Sequence, residues 1–70
     1  MNILSRYEIA KPVETKSLDE KNRVIYEFTI GVIDKHTGEV QKFRASDLDD
    51  VQAAHRAVDQ MLAWLKDAPP

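Results

Sequence analysis

"RVIYEFTIGVI", residues 23 to 33, decides the fold. Val24, Tyr26, Phe28, Ile30 and Val32 recur with a period of two, and Ile25, Glu27, Thr29, Gly31 and Ile33 fill the alternate positions. Successive strand side chains point to opposite faces, so this spacing builds one strongly apolar face. Its β-branched and aromatic residues suit a pleated, half-buried surface. A strand is expected here, with a second layer to cover it.

The chain leaves that strand through "IDKHTGEVQ", residues 33 to 41. Apolar residues stop at Ile33 and resume at Val40, as a hairpin connection requires. Asp34 can accept hydrogen bonds from amides two or three residues on, and Gly38 supplies the positive φ of a tight reversal. His36 then sits at an exposed tip. As a general base or metal ligand it would have only Asp34, Lys35 and Thr37 beside it, so the turn is the reading adopted. The return strand, EVQKFRA, is less regular. Val40 and Phe43 differ by three, which calls for a bulge near Gln41 or an outward Phe43, while Lys42 and Arg44 share one face.

After this hairpin, residues 23–44, a helix is expected over residues 46–66. Ser46 would cap it, with acids at Asp47, Asp49 and Asp50 near the positive end of the helix dipole. Lys66 lies in the last turn and Pro69-Pro70 stops the helix. At 100° per residue its apolar arc spans roughly 220°, about twice the stripe that one sheet face needs. Leu48, Val51, Val58, Leu62 and Leu65 suffice to cover the hairpin. The shoulder of Ala53, Ala57, Met61 and Trp64 is left for another cover, and large apolar patches usually mark partner surfaces. A partner protein, or a second copy in a homodimer, is the expected cover. The rival is the chain's own start, since Ile3, Ser5, Tyr7 and Ile9 alternate and residues 2–10 can form a strand ended by Lys11-Pro12. His55 falls at the edge of the apolar arc and reads as a core-edge residue. Residues 11–22, KPVETKSLDEKN, read as a long polar connection.

The architecture expected is α+β: a two- or three-stranded antiparallel meander followed by one C-terminal helix packed on it. It forms a single small domain over residues 1–70, with residues 1–22 contributing an N-terminal strand and a polar connection. The order strand, strand, helix over residues 24–66, with an acidic helix start followed by alanines, resembles the small antitoxin-type domains of the HicB kind; it carries no residue roles across.

Composition narrows the function. With 31% charged and 43% hydrophobic residues the chain belongs with ordered globular proteins. It has no cysteine, hence no disulfide, and two histidines without thiolates fall short of any usual zinc spacing. No apolar run approaches the roughly 20 residues of a membrane span, and the N-terminus lacks a signal-peptide core, so a cytoplasmic protein is expected. Two glycines, seven apart, exclude a Gly-rich phosphate loop. No nucleophile, base and orienting acid converge in the sequence, so no enzyme and no cofactor are expected. Ten basic and twelve acidic residues give a formal charge of −2, so there is no global basic field for nucleic acid. Lys35, Lys42 and Arg44 remain as a possible basic β-ribbon. The first expectation is a small protein-interaction module, a regulatory or accessory factor that binds through its surface and self-associates.

Overall fold

In a computed structural model, which describes residues 5–69, four strands precede one helix: β1 (Tyr7–Ile9), β2 (Val13–Leu18), β3 (Val24–Asp34), β4 (Val40–Asp47) and α1 (Asp50–Asp67). The strands form one antiparallel sheet centred on β3. On one side β3 pairs with β4, from Tyr26 opposite Asp47 to Ile33 opposite Val40. On the other it pairs with β1 at Ile9 opposite Val32 and with β2 at Val13 opposite Thr29. β1 and β2 are thus one broken edge strand, and the sheet is a three-row meander with the helix packed on it. Between the two ladders, Ala10, Lys11 and Pro12 stand against Ile30 and Gly31. One extra residue on the edge strand makes a bulge, and both an edge strand and a bulge accommodate proline.

That bulge corrects the reading of residues 11–22. Residues 13–18 are a strand, and the connection is only a tight turn. Asp19 Oδ1 accepts the amides of Lys21 and Arg23, both at 2.8 Å, and Asn22 takes φ 62°. Asn tolerates this left-handed conformation better than most residues, because its short side chain hydrogen-bonds locally. Every residue of β2 is exposed. A strand covered on neither face has no apolar–polar alternation to betray it.

The second turn forms as its residues require. Asp34 Oδ1 accepts the His36 amide at 2.9 Å, Gly38 has φ 79°, and the Gly38 amide donates to the Asp34 carbonyl at 2.7 Å. β4 pairs without a bulge, and Phe43 is buried opposite Ile30. The spacing of Val40 and Phe43 is resolved in a third way: Val40 points outward, opposite Ile33.

β4 continues through Ser46 to Asp47, so Ser46 is a strand residue and the helix begins later. Its cap is Asp49, whose carboxylate accepts the amides of Val51 and Gln52 at 2.8 and 3.4 Å. From there α1 returns along β4. Arg56 Nη1 reaches Asp47 Oδ2 at 3.3 Å, and Gln60 Nε2 donates to the Arg44 carbonyl at 3.3 Å. The core between the layers holds Tyr7, Ile30, Val32, Phe43 and Ala45 from the sheet with Ala57, Met61 and Leu65 from the helix.

Candidate functional site

The helix lies on a different face from the one expected. Ala53 and Ala57 are fully buried, Met61 and Leu65 nearly so, and Trp64 is half-buried. The shoulder of Ala53, Ala57, Met61 and Trp64 is therefore the packing face. The reason is steric: alanines at a spacing of four let the helix backbone approach the sheet closely, while Phe43, Ile30 and Val32 supply the bulk. Trp64 is sealed from the side by the chain's own beginning. Its ring meets Tyr7 edge to face at 5.5 Å and Phe43 at 5.9 Å. Tyr7 is 2% exposed and its hydroxyl donates to the Pro69 carbonyl at 2.7 Å. Of the leading segment, Ile3 lies outside the described residues.

What remains open is the opposite flank. Leu48, Val51 and Leu62, expected to cover the hairpin, are 50%, 56% and 54% exposed. Val58 is half-buried, His55 is exposed, and Leu65 alone of the expected covering set is buried. Gln60 and Arg56 fix which way this flank faces. Both reach the β4 row, so Val51 and Leu62, on the far side of the buried stripe, face the β1–β2 row.

Apart from Tyr7, which packs under Trp64, that row has no roof among the described residues, because α1 packs on β3 and β4 and makes no comparable contact with β2. Residues paired across an antiparallel ladder share a face, so Ile9, Glu14, Lys16 and Leu18 lie on the same inner face as Val32, Phe28, Tyr26 and Val24. Leu18 is 65% exposed and Val24 41%. Lys16 lays its ammonium 5.7 Å from the centre of the Tyr26 ring. The result is an L-shaped trough, with the helix flank as wall and the inner face of β2 and β3 as floor. The described residues extend over 46 × 19 × 14 Å, and the β2–β3 hairpin runs on beyond the end of β4.

Two ion pairs brace the ends of the sheet. Arg6 donates to both carboxylate oxygens of Asp34, at 3.3 and 3.0 Å, tying the start of β1 to the β3–β4 turn. The Arg6 guanidinium holds the Asp34 carboxyl below its usual range, partly opposed by burial and reinforced by the His36 amide. At the other end the Arg23 amide, more than the Arg23 guanidinium at 2.7 Å, keeps the Asp19 carboxyl low.

The basic ribbon is placed on the outer face. Lys42 and Arg44 share that face, opposite Gly31 and Thr29, and Lys35 lies exposed in the turn. Arg44 is paired with Glu27 at 3.5 Å, and Glu8 lies on the same face opposite Ile33, so acids interrupt the ribbon. His36 is exposed at the tip. Among the described residues no three His, Asp or Glu side chains gather as a metal site, and no helix is long and apolar enough to cross a membrane. The recess bordered by Tyr7, Glu8, Ile9 and Lys35 is open to solvent, and that bordered by Val32, Asp34, Glu39, Val40, Gln41 and Trp64 is small, about 70 Å³.

Comparison of the chain with protein-family models, with curated proteins and with solved structures finds no match.

Proposed function

We propose that this domain is a non-enzymatic protein-interaction module, a regulatory or accessory factor of the cytoplasm, which works by covering its inner-face trough with another protein. The observation that carries this reading is an incompletely roofed inner face: Val51 and Leu62 stand exposed on the helix flank, and Leu18 and Val24 stand exposed on the sheet beyond the end of β4. Fully burying an exposed side chain of this kind contributes roughly 1.5–3 kcal/mol, and these four, each about half exposed, have about half of that left to gain on association. Exposed apolar residues scattered singly carry no such meaning; grouped on a concave surface they do. The surface expected at Ala53, Ala57, Met61 and Trp64 is thereby moved about a third of a turn or more around the same helix.

The test is site-specific photo-crosslinking in extract of the source cells, with the crosslinker at Leu62 or at Ala63, an exposed residue on the opposite flank. A discrete adduct from Leu62 and none from Ala63 is expected. No adduct from Leu62, or equal adducts from both, contradicts the proposal.

A second reading, nucleic-acid binding by Lys35, Lys42 and Arg44, has one observation in its favour: Lys42 and Arg44 stand side by side on an open sheet face. It requires binding to duplex DNA that falls steeply with salt. No binding at about 50 mM salt, by fluorescence anisotropy, removes it.

A further inference from the structure

We infer that the free edge of β2 pairs with the same edge of a second copy, antiparallel, with Thr15 opposite Thr15 across the two-fold axis. This goes beyond the trough proposal, because it uses the strand edge and not the helix flank.

The main-chain groups of an antiparallel strand alternate in direction. The Gly31 carbonyl accepts the Ala10 amide at 2.8 Å, so the odd-numbered residues of β3 address the β1–β2 row. Their partners Val13, Thr15 and Ser17 turn their amides inward to β3, which leaves those of Glu14, Lys16 and Leu18 directed at the free edge. The opposite edge of the sheet is treated differently. There Gln60 takes the Arg44 carbonyl, so the helix already engages one of the outward main-chain groups of β4. Nothing among the described residues pairs with the outer edge of β2.

A continuous sheet across a two-fold axis must pair residues of the same face, which leaves three registers near the centre of this six-residue strand. One sets Glu14 against Glu14 and Lys16 against Pro12, which lacks an amide. Another sets Lys16 against Lys16. The third sets Glu14 against Lys16 twice and Thr15 against Thr15, so that opposite charges meet and the outward amides and carbonyls of both residues join in pairs. Charge complementarity therefore selects both the partner, a second copy, and the register. The two helices then lie on one face of a six-row sheet. With rows about 4.8 Å apart their axes stand about 19 Å from each other, so the trough remains open.

The experiment uses oxidative cross-linking and sedimentation velocity, in a chain whose only cysteine is the one introduced. In this register the Thr15 pair is not hydrogen-bonded and its Cα atoms lie about 4.5 Å apart, within disulfide range. The Ser17 residues lie about 13 Å apart. Thr15→Cys is expected to oxidise to a covalent dimer while Ser17→Cys, equally exposed, does not. Glu14→Lys and Lys16→Glu are each expected to weaken dimerisation about tenfold, and the double swap to restore it to within about threefold of wild type. All four residues are exposed, and circular dichroism checks that each variant folds. Equal cross-linking at both sites, no cross-linking at Thr15→Cys, or a double swap no better than the singles overturns the inference. A discrete Leu62 adduct of another protein, with no Thr15→Cys dimer, removes self-pairing and leaves the trough; the converse removes the trough and leaves self-pairing.

Discussion

Tyr7 and Trp64, fifty-seven positions apart in the chain, meet edge to face with their ring centres 5.5 Å apart and their planes at 78°. The geometry sets the positive edge of one ring toward the negative face of the other, worth about 0.5–1.5 kcal/mol beyond the area buried. This contact closes the sheet's N-terminal edge over the helix. Tyr7→Phe keeps the ring and loses the bond to the Pro69 carbonyl, so urea denaturation should show a loss of about 0.5–1.5 kcal/mol. Tyr7→Ala removes the ring as well and should cost about 3–5 kcal/mol.

Trp64→Glu is expected to act as a stability mutation. It places a charge in the packed layer beside Tyr7 and Phe43, and should lower the melting temperature by 10 °C or more, from a ~4–8 °C shift per kcal/mol in a domain of this size. Self-association measured below that melting temperature should persist. A well-folded Trp64→Glu chain that no longer associates would return the contact surface to the tryptophan edge.

The helix cap separates two positions three apart. Asp49→Ala should cost about 1 kcal/mol, because the amides of Val51 and Gln52 lose their acceptor. Ser46→Ala, on an exposed strand position, should lie within about 0.5 kcal/mol of wild type. Thermal melts of the two variants distinguish the caps, and equal losses would place the helix start three residues earlier.

Acid should release β1. The Arg6 guanidinium holds the Asp34 carboxyl below its usual range in the native state, so the native state binds that proton less readily than the unfolded chain. Stability from this pair is therefore fully present above the ordinary carboxylate range and is lost as pH falls through the lowered native value. The difference in melting temperature between wild type and Asp34→Asn should be constant above about pH 5 and shrink below about pH 4. A difference that widened in acid would reverse the assigned sign.

β3 and the turn after it were legible in the sequence because each carries its own local cause: period-two alternation in one, Asp34 and Gly38 in the other. β2 was hidden because neither of its faces is covered, and its traces lay only in Asp19 and Asn22 of the following turn. The phase of the helix was ambiguous for a physical reason. An apolar arc of roughly 220° permits several stripes to lie down on the sheet. The choice is made by tertiary contacts, with Tyr7 drawing Trp64 inward and the alanine spacing allowing close approach. Lys42 and Arg44 were correctly placed on one face, but their pairing across the sheet with Glu27 becomes visible only with the register.

Met61 and Leu62 are neighbours in sequence and opposites in the fold: one is 6% exposed on the sheet, the other 54% exposed on the trough wall. Urea denaturation of Met61→Ala and Leu62→Ala, at a concentration low enough to keep copies apart, tests that assignment directly. The expected result is a loss of about 2–5 kcal/mol for Met61→Ala and a change within about 0.5 kcal/mol for Leu62→Ala. The reverse order would turn the helix over and bring the Trp64 edge back to the surface.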